Sequence, residues 1–353
     1  MAAFVIRAIG GLILLATIAF VAVGFPSVQD RLFQRAVDRA MAPKHADLFD
    51  GDGLKVFFCG TGSPLPSKKR AQTCTAVFAG NTFFLVDAGT GSWETIQGAG
   101  LPGGKLGGIF LTHFHSDHIG DLSEANLNSW VMGRPAPLAV YGPTGVERVV
   151  AGENEALASD ALYRTAHHGA AIAPPQAAGL AARPFEPGDS VVVYERDGLK
   201  VTAFNVRHDP VIPAVGYRFD YQGRSVVVSG DTAYSDNLIR SAKGADLLIH
   251  EAQANHMVKA LQTAAARAGN QRLAKILGDI PSYHTTPVEA ARAANAAEVK
   301  ALVLTHLTPA PDNRIARDIF MRHVSSVREG VRLAADGAIV RLPKAGGVRY
   351  DGF

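Results

Sequence analysis

Between positions 113 and 118 the sequence reads His-Phe-His-Ser-Asp-His, which puts four ligand-type side chains into six residues. Imidazole together with carboxylate is a donor set that zinc accepts, and that iron or manganese also accept. The run before it, Phe110-Leu111-Thr112, is strand-like, so the cluster begins where a strand ends. Successive side chains of extended backbone point in alternate directions. His113 and His115 can therefore share one metal, while Asp117 and His118, past the turn, address a second. A lone histidine pair would more often be a packed core feature; four donors at this spacing argue for metal chemistry.

The elements that must hold this cluster follow from hydrophobic periodicity. Short strand-like runs at Leu54–Phe58, Ala76–Phe78, Phe83–Val86 and Gly108–Leu111 are punctuated by glycines and turn residues. A helix is predicted from about Ile119 to Met132, then a strand at Leu138–Tyr141 and a helix from about Thr144. Residues Gly152–Pro187 carry the weakest pattern and are expected to form a lid or binding loop. His168, beside His167, falls there and is a candidate substrate contact, as are Tyr163 and Arg164. Strands resume at Ser190–Tyr194, Lys200–Val206, Val215–Phe219 and Ser225–Val228. The last third alternates helices with strands at Asp246–His250 and Ala301–Thr305. Strand-rich stretches alternating with helices imply an α/β fold, a four-layer αββα sandwich.

Composition agrees with a compact enzyme: 353 residues, 47% apolar, 19% charged, net charge +3. No Lys/Arg block marks a nucleic-acid footprint. The exception lies at the front, where Ala8–Phe25 carries no charge. Its length suits a signal anchor or signal peptide over residues 1–26. An amphipathic stalk over 27–50 and a compact α/β domain over 51–353 complete the expected organisation. The catalytic part is thus expected to be membrane-anchored or exported, although Arg31, Arg35 and Arg39 outnumber Arg7 across the apolar run. Cys59 and Cys74 are read either as a disulfide or as buried thiols; spacing does not decide.

At the 113–118 cluster the sequence resembles the metallo-β-lactamase superfamily. The resemblance implies that His208, after the strand ending at Val206, joins His113 and His115 on the first ion. It implies that His306, in Leu304-Thr305-His306-Leu307, joins Asp117 and His118 on the second, and that Asp231 bridges the two. Asp87, in Leu85-Val86-Asp87-Ala88-Gly89, matches the family's supporting aspartate. The cofactors would be two divalent ions, zinc first, with iron or manganese as alternatives.

Asp231 stands where zinc β-lactamases typically carry cysteine, which argues against that activity. Ile249-His250-Glu251-Ala252 and Tyr283-His284-Thr285-Thr286-Pro287 resemble segments of the ribonuclease Z and arylsulfatase-like branch. The resemblance makes His250 the general-acid candidate, with Glu251 and Asp117 the other catalytic candidates. His284 is expected to bind substrate or support the site, while Thr285 or Thr286 caps the helix starting at Pro287. The expected reaction is ester hydrolysis by a water that two ions share. A phosphodiester or aryl sulfate is the leading substrate; a lactone is one alternative, and a ribonuclease Z-type RNA endonuclease is the other, ranked lower. An RNA arm between His208 and Asp231 has no room, so a small-molecule ester is expected as substrate, with nucleic acid disfavoured. The membrane, through the N-terminal helix, is the other expected partner, and a homodimer is left open.

Overall fold

A computed structural model describes residues 23–41 and 44–353. The chain divides between Lys44 and His45 into two compact units. In the first, helix α1 spans Pro26–Met41. The expected apolar segment lies almost wholly outside the described residues; among those described, no helix is long and apolar enough to cross a membrane.

The second unit contains two sheets. The eight-stranded sheet includes β1 (Leu54–Gly60), β2 (Cys74–Ala79), β3 (Thr82–Val86), β4 (Leu106–Phe110), β5 (Leu138–Pro143) and β6 (Leu180–Phe185). The seven-stranded sheet includes β7 (Val191–Arg196), β8 (Leu199–Asn205), β9 (Val215–Tyr221), β10 (Arg224–Val228), β11 (Leu247–Gln253) and β12 (Ala301–Thr308). Short strands β13–β15, Arg332–Leu333, Ile339–Leu342 and Arg349–Asp351, complete the edges. Strand alternation builds the layers. Val56, Phe58, Phe84 and Val86 face Val201, Val226, Val228 and Ile249 in the core between the sheets. The intervening Phe57, Phe83 and Leu85 turn outward into a second core with Trp93, Leu122 and Val146, residues of the covering helices. Val227, Leu248 and Leu302 do the same on the other sheet, against Leu238, Ala290 and Phe320.

The strands that matter for the site run parallel: β3 to β4 to β5, and β10 to β11 to β12. Their C-terminal ends therefore collect at one edge, which is where open α/β sheets carry their ligand-binding loops.

Residues Gly152–Pro187 are not a lid. Helix α5 runs unbroken over Val146–His168, and a short turn leads to β6, which pairs parallel with β5. Only Val146 and Val150 of this helix are buried. Its amphipathic signal is correspondingly weak, which hides the continuation of the helix expected from about Thr144 past Gly152. Cys59 and Cys74 form a disulfide between neighbouring strands, with Cα atoms 5.0 Å apart.

Candidate metal centre

Seven side chains converge at the shared strand edge. His113, His115, Asp117 and His118 follow β4; His115 is extended and directs the chain into a one-turn helix, Ser116–Ile119. His208 follows β8, Asp231 follows β10, and His306 lies within β12. The carboxylate oxygen Oδ2 of Asp231 is the centre of the group. It lies 3.3 Å from Nε2 of His118 and of His306, and 3.9 Å from Nε2 of His113 and of His208. Around it, Nε2 of His113 is 3.0 Å from Nδ1 of His115. Nε2 of His306 is 3.2 Å, and Nε2 of His118 3.6 Å, from Oδ2 of Asp117.

These spacings can be tested against an ion. Ligand bonds of about 2.0–2.1 Å in a tetrahedron place donors roughly 3.3 Å apart. The separations found, 3.0–3.9 Å, bracket that value. Two of the nitrogens, His118 Nε2 and His208 Nε2, are buried without a hydrogen-bond partner, as ligand atoms facing a cation would be. The donors group as His113/His115/His208 and as Asp117/His118/His306, with Asp231 near both sets.

Electrostatics point the same way. Burial works against charge on His118, yet Asp231, Asp87 and Asp117 hold its imidazole well above the ordinary value. His306 is likewise pushed up to about 9, burial being outweighed by Asp231 and Asp117. Burial also opposes the Asp231 carboxylate, but His306 and His118 keep it far below the usual range. His113, under burial and the neighbouring His118, is driven down. The pocket therefore demands positive charge, which protons supply and which a divalent cation would supply in their place.

Three of the rings have a structural reason for their aim: His306, His118 and His208. His306 occupies a β-bulge: Thr305 pairs with Glu251 and Leu307 with Ala252, leaving His306 unpaired with φ 46°. Strict alternation would turn position 306 to the helix-covered face; the extra residue redirects it inward. Asp87, with φ 60°, accepts from the Thr112 amide (2.8 Å) and hydroxyl (2.9 Å) and pairs with His118 Nδ1 at 2.8 Å. It fixes the loop and one ring together. His208 Nδ1 is held by the Tyr283 carbonyl at 3.0 Å. The supporting roles of Thr112 and of the Tyr283 carbonyl are not written in the sequence, the second because a main-chain acceptor carries no residue signature.

His250 requires a correction. It shares the pleat face of Leu248 and Ala252, which pack into the helix-covered core, and its Nδ1 meets the Glu251 carbonyl at 2.7 Å. Burial lowers its pKa, which disfavours the charged ring there. Glu251, one residue on, points to the opposite face and into the site. Its Oε1 accepts from His284 Nδ1 (3.0 Å), the Thr285 amide (3.0 Å) and the Thr232 amide (3.2 Å). His284 stacks on His306 with ring centroids 5.7 Å apart. Burial opposes its positive charge, but Glu251 outweighs this and raises its pKa. His284, and not His250, thus borders the donor set.

His168 is also displaced from the site. The N-terminal end of α5 at Gly145 lies against Phe114 of the metal loop, and the helix then extends for 23 residues. At 1.5 Å per residue, His168 ends roughly 33 Å further along. It is exposed there beside His167, and Arg164 pairs instead with Asp160 at 2.9 Å.

The Beta-lactamase superfamily domain matches residues 82–307. The ribonuclease Z of Mycobacterium avium is 38% identical over 260 residues, covering 73% of this chain and 87% of that protein. The ribonuclease Z of Mycobacterium tuberculosis is 35% identical, with 73% and 86% covered. Among solved structures, human tRNase Z, short form, superposes with a TM-score of 0.58 at 22% identity, covering 82% of this chain and 99% of that one. The metallo-beta-lactamase fold protein YhfI from Bacillus subtilis gives 0.58 at 22% identity, with 82% and 98% covered. These relatives overturn the expectation that nucleic acid is disfavoured and a small-molecule ester favoured; an arylsulfatase-like reading has no counterpart among them. The chain belongs to the metallo-β-lactamase superfamily, as a metal-dependent hydrolase of its ribonuclease Z branch.

Proposed function

We propose that the protein is a ribonuclease Z-type endonuclease that hydrolyses a phosphodiester bond in RNA, with precursor transfer RNA the first substrate to test. The observation that carries this is the Asp231 carboxylate within 3.3–3.9 Å of four histidine nitrogens, in a chain 38% identical to a ribonuclease Z. The seven donors would hold two divalent ions, zinc by donor type, which supply an activated water and charge stabilisation at phosphorus.

The chain's own residues do the rest. Asp87 and the Tyr283 carbonyl fix the rings of His118 and His208. His284, oriented by Glu251, is the proton donor for the departing ribose oxygen, because it alone of the non-ligand histidines borders the donor set. The short β9–β10 hairpin between His208 and Asp231 leaves RNA to be gripped elsewhere. Lys68 and Lys69 are exposed on the β1–β2 loop, which touches the metal loop through Gln72 and Gly89. Their charge suits a phosphate backbone.

The test is cleavage of a 3′-extended precursor transfer RNA by metal-loaded protein and by Asp231→Ala. Metal content is measured on both. Wild-type protein should cut with two ions per chain, and the variant should lose ions and activity together. A fully active Asp231→Ala protein would sink the proposal.

A further inference from the structure

At the end of the sheets remote from the metals lies a groove of about 770 Å³ that the hydrolytic reading does not use. It opens between the start of β4, strands β5 and β6, and edge strand β7. Gly107, on its floor, precedes His113 by six residues, so at ~3.3 Å per residue it is on the order of 20 Å away.

The groove is shaped by aromatic rings lying close over glycine. A Cβ on Gly107 would strike the Phe84 ring, 2.8 Å from Cε1, and one on Gly108 would crowd Tyr141 at 3.2 Å. Tyr194 stands perpendicular to Tyr141, with centroids 5.9 Å apart and an interplanar angle of 89°. Neither tyrosine hydroxyl hydrogen-bonds to another described residue. Arg183 and Arg196 both bring positive charge onto the Tyr141 hydroxyl. Among the described residues, neither guanidinium has a carboxylate partner; Arg183 donates only to the Ala182 carbonyl at 3.2 Å. Four basic side chains line the groove against two acidic ones, Glu195 and Asp197.

Unpaired guanidiniums beside free phenols form a donor cluster suited to a phosphate, since arginine can grip two of its oxygens at once. The half-buried Tyr194 ring, held edge-on to Phe84 at 5.1 Å, offers an aromatic wall that suits a planar base. The volume falls within the range of small-ligand sites. We propose that this groove binds a mononucleotide, with its phosphate between Arg183, Arg196 and the Tyr141 hydroxyl and its base against Tyr194.

The site shares no residue with the metal cluster, so it can be tested separately. The full, metal-loaded chain is titrated calorimetrically with AMP, adenosine and inorganic phosphate. AMP should saturate one site per chain and bind more tightly than either fragment. Arg183→Ala/Arg196→Ala, at two exposed positions, should weaken AMP at least tenfold without altering RNA cleavage, whereas Asp231→Ala should leave AMP binding unchanged. The inference fails if AMP does not saturate by about 1 mM, or if AMP binds no better than phosphate. It fails equally if the arginine variant binds AMP as wild type does.

Discussion

Oε1 of Glu251 accepts a hydrogen bond from Nδ1 of His284 at 3.0 Å, joining a β11 residue to one that lies 33 positions later in the chain. The pair borders His306, whereas His250 faces the opposite core. His284→Ala should therefore lower kcat by ~10²–10⁴-fold with metal content intact. His250→Ala should reduce thermal stability and leave kcat within a few-fold. Steady-state cleavage with elemental analysis separates the two, and a larger kcat loss in the His250 variant would overturn the assignment.

Gly89 packs where no side chain fits. A Cβ there would fall on the Asp117 carbonyl oxygen and within 2.7 Å of Gln72 Cβ. Gly89→Ala should push the metal loop out of register and weaken ion binding by 10–100-fold, the scale seen when supporting groups are lost. Competition with a metal-sensitive dye measures this.

Thr286 caps helix α9, Pro287–Ala296, in a reciprocal box with Glu289. The sequence left Thr285 or Thr286 as the cap, and the structure assigns it to Thr286. Thr286→Ala should cost about 1 kcal/mol in chemical denaturation. Since Thr285, not Thr286, bonds Glu251, the metal content should be unchanged.

Asp246 is buried and accepts from the Ser225 amide (2.9 Å), Arg224 (3.0 Å) and Lys300 (2.7 Å). Burial alone would raise its carboxyl, but Lys300, Ser225 and Arg224 hold it below the ordinary value. A depressed folded-state pKa stabilises above the unfolded value, and that stability is lost as pH falls through the folded one. Asp246→Asn should thus cost ~1–2 kcal/mol at neutral pH. The gap to wild type should close below the carboxylate range, as acid denaturation curves would show.

The 113–118 cluster was legible as four ligand-type side chains in six residues, whereas His208, Asp231 and His306 came from the family resemblance, each set after an apolar strand run. The direction of a side chain was harder to read. In Leu247–Gln253 every residue is buried, so composition could not say which face met the metals, and His250 was chosen over Glu251's partner His284. His306 aims inward only through a bulge, which single-sequence periodicity does not show. The start of helix α5 near Thr144 was legible, but its continuation past Gly152 was not, because its apolar face shrinks to Val146 and Val150.

The donor set also divides between the sheets: His113 to His118 follow a strand of one, while His208, Asp231 and His306 belong to the other. Ions seated among them would act as staples across the inter-sheet seam. Folding stability then depends on free metal as RT ln(1 + [L]/Kd), about 4 kcal/mol at a thousandfold excess over Kd. Metal scarcity would slacken the protein along that seam as well as silence it.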